Sequence, residues 1–208
     1  MFNVCSACGV YRADKIIDSP QSLAICPECG HAHPFRSLPL LILSGASGTG
    51  KSTVCNALLG KIEEAIVLDA DILWSAAFDR PDEQYRSFFE QWLRLCKNIN
   101  QAGRPVVLCG AGCGVPANLE NCVERRYFST IHYLALVCED EVIRQRLRAR
   151  PTWRQSGDEA FITSQLQFNR WFKQYDGQPP ICRLDTSMAS LDETSAQVAT
   201  WIREHVTL

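Results

Sequence analysis

Leu40-Leu-Ile-Leu-Ser-Gly-Ala-Ser-Gly-Thr-Gly-Lys-Ser-Thr-Val54 decides the fold. Its first four residues, Leu40 to Leu43, form an unbroken apolar run and predict a buried strand. Gly45, Ala46, Ser47, Gly48, Thr49, Gly50, Lys51 and Ser52 then match G-x-x-x-x-G-K-[ST], the spacing of a phosphate-cradling loop. Val54, Ala57, Leu58 and Ile62 follow with the spacing of one helix face. The glycines let backbone N–H groups curl round an anion with no Cβ in the way. The helix N-terminus adds further donors and partial positive charge. In this pattern Lys51 reaches the outer phosphates and the Ser52 hydroxyl sits on Mg²⁺. The whole nucleotide-contacting stretch runs from Gly45 through Thr53. The plain alternative is a glycine-rich turn with an incidental lysine, which does not require a strand before it and a helix after it.

Downstream, Ala65-Ile-Val-Leu-Asp-Ala-Asp71 reads as a second buried strand ending in Asp69 and Asp71. Residues two apart on a strand share a side, and the carboxyl ends of strands in an α/β sheet face the ligand crevice. One of the two can hold Mg²⁺ through water while the other accepts a proton from an attacking hydroxyl. The competing reading has the two as caps on a following helix, Ile72 to Phe78. Pro81 to Gln101 is read as one long helix. Its aromatic stripe, Tyr85, Phe88, Phe89 and Trp92, favours core over a base-stacking platform. Pro105 to Cys109 is a third strand, ending in Gly110-Ala111-Gly112-Cys113-Gly114 where a Walker-B strand would end in Asp. That absence strengthens Asp69 as the magnesium carboxylate, and the glycines allow close approach of a small acceptor.

Ile131 to Cys138 is a fourth strand. The helix from Asp140 carries Arg144, Arg146, Arg148 and Arg150 into the breaker Pro151-Thr-Trp-Arg154-Gln-Ser-Gly157. Arg150 and Arg154 are assigned to a closing lid, where guanidinium forks meet phosphate oxygens; Arg144 and Arg146 are read as a solvated face. Asp158 to Tyr175 is a helix, Ile181 to Ser187 a fifth strand and its exit, and Ser190-Leu-Asp-Glu193 a capping box opening the last helix.

The N-terminus carries a second motif. Cys5-Ser-Ala-Cys8-Gly and Cys26-Pro-Glu-Cys29-Gly are two knuckles separated by seventeen residues, within the spacing of a four-sulfur metal site. Zn²⁺ is the preferred ion and iron the alternative; a closed tetrahedral set leaves no position for substrate, so the module is read as structural or as a docking surface. A piece this small needs such a staple to fold. Residues 1–37 are assigned to it, with Pro34 to Pro39 as linker, and residues 38–208 to the main domain. At 208 residues the chain has room for that one domain and its appendage.

A net charge of −2 offers no general basic field for nucleic acid. No apolar run approaches the roughly 18 residues of a membrane helix, and the first residues do not read as a signal peptide. The eleven cysteines, with a nucleotide loop and no export signal, fit a reducing cytoplasm.

Five strands alternating with helices, a phosphate loop after the first and arginines after the fourth describe an α/β parallel sheet. Residues 38–208 resemble the small P-loop kinases: shikimate kinase, gluconate kinase and the nucleoside and nucleotide kinases. Residues 1 to about 35 resemble a zinc ribbon. Asp69-Ala-Asp71 resembles the D-x-D of shikimate kinase, which implies that Asp69 serves Mg²⁺ and that Asp71 binds the acceptor hydroxyl and acts as base; Gly110-Ala111-Gly112 resembles its acceptor-binding glycines. Arg150-Pro151 resembles its lid, and Ser164-Gln165 the Ser-Gln of gluconate kinases. The resemblance implies a P-loop NTPase fold, ATP and Mg²⁺ as cofactors, and Asp185, Thr186 and Ser187 beside adenine. It implies transfer of the γ-phosphoryl of ATP to a small metabolite, with a nucleoside or nucleotide preferred. Two other readings stay open: a nucleic-acid end kinase or repair factor using the ribbon, and a non-catalytic ATP switch whose ribbon docks on a protein partner.

Overall fold

The computed structural model describes residues 3–206; the outer limits of the sequence-based boundaries, 1 and 208, lie outside them. The chain opens with three short antiparallel strands, β1 (Ile16–Asp18), β2 (Leu23–Ile25) and β3 (Ala32–Pro34), in that spatial order. Then come β4 (Leu40–Gly45), α1 (Lys51–Leu58), β5 (Ile66–Asp69), α2 (Arg86–Gln101), β6 (Val106–Cys109), α3 (Pro116–Glu120) and β7 (Ile131–Val137). The chain closes with α4 (Asp140–Arg148), α5 (Glu159–Gln174), β8 (Ile181–Asp185) and α6 (Leu191–Val206).

Five strands form one parallel sheet in the order β5-β6-β4-β7-β8. β4 is central and buried throughout, which is why its sequence is an unbroken apolar run rather than an alternation. β8 is an edge, and its exposed Cys182 and Arg183 are the polar interruptions an edge tolerates. One sheet face packs on Phe88, Trp92, Leu93 and Phe172 of α2 and α5. The other packs on Val54, Leu58, Trp201 and Ile202 of α1 and α6. The chain adds β5 and β6 on one side of β4 and then β7 and β8 on the other, so the connections diverge there and open a crevice at the carboxyl ends of the strands.

Three expectations are refined. The stretch from Pro81 is not one helix: a 3₁₀ turn over Pro81–Glu83 is followed by Gln84 (φ 52°) and Tyr85 (φ 57°), both left-handed, and α2 begins only at Arg86. Asp71 is not on the strand with Asp69. β5 ends at Asp69, whose carboxylate accepts from the Asp71 N–H at 2.9 Å and caps a 3₁₀ turn over Ala70–Leu73. The capping role therefore stands alongside any chemical one for Asp69. Finally, the linker is firmly held: Arg36 and the Gln101 side chain exchange two hydrogen bonds, and Asn100 donates to the Leu38 carbonyl. The capping box forms as read, with the Glu193 N–H donating to Ser190 Oγ and the Ser190 N–H to the Glu193 carboxylate.

The N-terminal sheet sits on the end of the main domain opposite that crevice. Phe35 and Ala24 pack on Tyr127, whose hydroxyl donates to the Ala13 carbonyl at 2.6 Å. The buried Lys97 of α2 donates to Asn3 Oδ1 at 2.6 Å and lies 4.4 Å from the Tyr127 ring centre.

Candidate active site

The loop after β4 turns back on itself through Gly48 (φ +91°) and Gly50 (φ +100°), conformations open to glycine and strained for other residues. Gly45 is fixed by space: a Cβ there would stand 2.3 Å from the Leu136 carbonyl oxygen and 2.7 Å from Thr49 Oγ1. Thr49 Oγ1 and Lys51 Nζ both donate to the Ala46 carbonyl at 2.9 Å. The lysine thus arches over its own loop, at the place where a phosphate oxygen could replace that carbonyl. Burial pulls Lys51 down to about 8, opposed by the Asp71 charge and reinforced by Arg150.

A cleft of about 840 Å³ brings most of the predicted residues together. Ser47, Gly48, Gly50, Lys51, Ser52 and Thr53 supply one wall, Asp69 and Asp71 a second, Gly110 and Ala111 a third, and Arg150 and Arg154 the mouth. Removal from water and the neighbouring Asp69 charge raise Asp71 above the usual carboxylate value, with Lys51 and Arg154 opposing. A carboxylate raised in this way is better suited to take a proton.

Two smaller cavities adjoin the cleft. One, of about 330 Å³, is lined by Gly48, Thr49, Thr53, Arg146, Thr186 and Leu191 among others. Arg146 donates to the Gly48 carbonyl (3.2 Å) and the Thr186 carbonyl (3.0 Å), and Thr186 Oγ1 donates to the Thr49 carbonyl at 2.9 Å. Of the three residues expected beside adenine, only Thr186 lines this cavity. Asp185 and Ser187 are engaged with each other, the Ser187 N–H and hydroxyl donating to the Asp185 carboxylate. The second cavity, of about 180 Å³, lies beyond Asp71 between Trp74, Tyr85, Phe88, Phe89 and Gly110 to Cys113. Gly45 and Ala46 are buried behind the loop. Gly110 and Gly112 do line the small cavity, but packing within the protein also demands glycine there. A Cβ at Gly112 would meet the Phe89 ring at 3.1 Å, and one at Gly110 the Ala70 Cβ at 2.7 Å.

Two site residues escaped the sequence reading. Arg146, expected on a solvated face, tethers the phosphate loop to the turn after β8; Arg150, just past the end of α4, lines the same cavity as Arg146. Gln165 stands out in the sequence only through the Ser-Gln resemblance, and its Oε1 accepts from the Ser47 N–H at 2.8 Å. No local pattern reports that contact, which joins residues 118 positions apart. The aromatic stripe divides: Phe88, Phe89 and Trp92 are core, while Tyr85 joins Trp74 at the rim of the small cavity.

The four N-terminal cysteines converge, their Sγ atoms all within 4.8 Å of one another. Cys5 and Cys29 are 3.6 Å apart and Cys8 and Cys26 3.8 Å. Sulfurs 2.3 Å from one tetrahedral centre stand about 3.8 Å apart, so the group fits a metal ion of zinc's size. Gly9 (φ 75°) and Gly30 (φ 73°) make the reversals after each knuckle. Burial raises the Cys5 thiol, but N–H groups of Cys8 and Ala7 outweigh it and hold Cys5 at about 5. An N–H at His31 lowers Cys29, yet burial and the other three sulfurs push it to about 12. Four sulfurs this close ionise together only around a cation.

A parallel sheet of this order, with a phosphate loop after its central strand and helices on both faces, defines a P-loop fold of the small-kinase kind. A family model described as "AAA domain" (AAA_33) matches residues 40–175, and the chain belongs to that family. Among solved structures, a sugar kinase from Janibacter sp. HTCC2649 is similar at 16% identity, over 80% of this chain and 95% of that one, with a TM-score of 0.59. The tunicamycin resistance protein of Deinococcus radiodurans is similar at 16% identity, over 80% and 96%, with a TM-score of 0.55. The APS kinase of Mycobacterium tuberculosis, solved with AMPPNP and APS, is similar at 20% identity, over 82% and 99%, with a TM-score of 0.53. At these identities the likeness is one of fold. No curated protein sequence matches the chain. Among the described residues no helix is long and apolar enough to cross a membrane.

Proposed function

We propose that the protein is an ATP-dependent phosphotransferase that moves the γ-phosphoryl group of ATP to a hydroxyl of a small molecule. The observation that carries this reading is the single cleft in which the phosphate loop, Lys51, Asp69, Asp71 and the two lid arginines all open onto one space. The loop N–H groups from Gly48 to Thr53 would hold the β- and γ-phosphates, and Lys51 would leave Ala46 for a phosphate oxygen. The base of ATP would enter the cavity bounded by Arg146 and Thr186. Ser52 and Asp69 offer hard oxygen donors that suit Mg²⁺, and a bound ion would offset charge on the transferring group. Asp71 would accept the acceptor's proton. Arg150 and Arg154, at the cleft mouth, would close over the phosphoryl oxygens and exclude water. Catalysis on this plan is positioning and charge neutralisation.

The N-terminal module, in this reading, is a zinc ribbon with a structural and docking role in the cytoplasm. Its few cations argue against nucleic acid as partner: Arg12 is ion-paired to Asp14 and Glu28, and Lys15 is buried. The test is calorimetry of ATP·Mg²⁺ with the full chain, followed by ADP release against a panel of hydroxyl compounds. ATP uptake with stimulated ADP release is the expected result; no ATP uptake overturns the reading. ATP uptake without transfer to any acceptor would favour the non-catalytic switch.

A further inference from the structure

We propose that the acceptor is a ring-bearing alcohol of the nucleoside type without negative charge, and that anionic acceptors such as nucleotides and sugar acids are rejected. This rests on the phosphotransferase reading and concerns the small cavity beyond Asp71. That cavity holds about 180 Å³ and four of its lining residues are aromatic, set edge-on or tilted to one another. Trp74 stands 5.8 Å from Tyr85 and 5.3 Å from Phe88 between ring centres, and Phe88 stands 5.5 Å from Phe89. Phe88 and Phe89 are locked in the core, while Trp74 is 49% exposed and Tyr85 partly so. The cavity is therefore rigid behind and open in front, where the half-exposed Trp74 indole offers one face on which a planar ring can stack.

Charge decides the class. The lining includes no lysine, arginine or histidine, and its one carboxylate is Asp71. The basic residues nearest in sequence are used elsewhere: Arg80 pairs with Asp82 and Glu83, and Arg86 with Glu90. Lys51, Arg150 and Arg154 line the phosphate cleft, where a triphosphate would engage them. An acceptor carboxylate or phosphate would lie beside Asp71 with no basic residue in the cavity lining, while Lys51 and Arg154, which also act on Asp71, are drawn to the triphosphate; in a site part-shielded from water the like charges repel strongly.

The test uses the full chain and matched pairs: adenosine, thymidine, cytidine and guanosine, each beside its 5′-monophosphate, with gluconate and shikimate. Binding to the AMPPNP·Mg²⁺ complex and ADP release from ATP are both measured. At least one nucleoside is expected to bind and to be turned over, with kcat/KM at least 100-fold above that of its monophosphate and of both sugar acids. Trp74→Ala is expected to raise KM for that nucleoside about tenfold or more while kcat changes less. Trp74→Arg, at a half-exposed position, is expected to shrink the preference over the monophosphate by at least tenfold. The proposal is overturned if a monophosphate or sugar acid is the better acceptor, if no nucleoside binds the AMPPNP complex, or if neither Trp74 variant alters selection. Failure of the underlying reading would show separately, as absence of AMPPNP and ATP binding.

Discussion

Asp71 and Lys51 face one another across the cleft, and their shifts run in opposite senses. Asp71 is raised by its removal from water and by Asp69. A base works only when deprotonated, so kcat/KM should fall with acid at a pH above the ordinary aspartate value of about 3.9. Asp71→Asn should abolish transfer while ATP still binds, checked by ADP release beside calorimetry. The same shift has a stability sign. A carboxyl whose folded value lies above its unfolded one holds its proton more tightly when folded. Its contribution is fully present below the unfolded value and lost as pH rises through the folded one. At pH 7 that contribution has gone, so Asp71→Asn should melt no lower than the parent and somewhat higher, with the gap closing towards pH 3 in a thermal-shift series. Lys51 behaves in reverse: buried, it loses its proton near pH 8. A triphosphate restores the charged form, so below pH 8 ATP affinity should be flat. Above it, binding must take up a proton, and affinity should fall by up to tenfold per pH unit. Calorimetry in two buffers of different ionisation enthalpy reads that uptake directly.

At the level of elements, what could be read in advance follows from how local each signal is. The β4–loop–α1 unit was legible because motif, apolar run and helical stripe agree over adjacent residues, and the same holds for the two cysteine knuckles and the capping box of α6. The start of α2 was not: its helical periodicity runs back to Tyr85, but two left-handed residues turn the chain just before Arg86. Neither Gln84 nor Tyr85 is a residue that announces such a conformation. Arg146 and Gln165 act on the phosphate loop across long sequence separations, so their roles emerge only when α4 and α5 pack. The attachment of the N-terminal sheet is of this second kind. Tyr127 lies in a 3₁₀ turn before β7, in sequence an unremarkable aromatic, yet it carries the Ala13 hydrogen bond and the contact with Phe35. Tyr127→Phe keeps the ring and removes the hydroxyl, leaving the part-buried Ala13 carbonyl short of a donor. It should lower stability by about 1 kcal/mol, read as a lower urea midpoint at unchanged slope, with ATP affinity unaltered.

Across the whole molecule, α2 is the beam that joins the two ends. Its first turns carry Phe88 and Phe89 to the small cavity beside Asp71, and its last turns carry Lys97 and Gln101 to the N-terminal module. Sixteen residues span about 24 Å, so a disturbance of the cysteine site has a physical route to the acceptor cavity. The middle of the beam decides whether it travels. Trp92, Leu93 and Cys96 are fully buried in the main core, and the Trp92 indole N–H donates to the Ala70 carbonyl at 3.2 Å. A helix clamped there has no second arrangement to move to, and coupling needs one. Metal removal should therefore cost stability rather than chemistry. A three-stranded module of this size cannot hold its fold on its own apolar surface, and its loss uncovers Tyr127 and leaves Lys97 without Asn3. With a strong chelator, melting should drop by several degrees. At a temperature well below both transitions, the affinity for ATP should stay within about twofold, and so should the rate of phosphoryl transfer. A matching loss of rate at low temperature would show instead that α2 transmits the state of the cysteine site to the cleft.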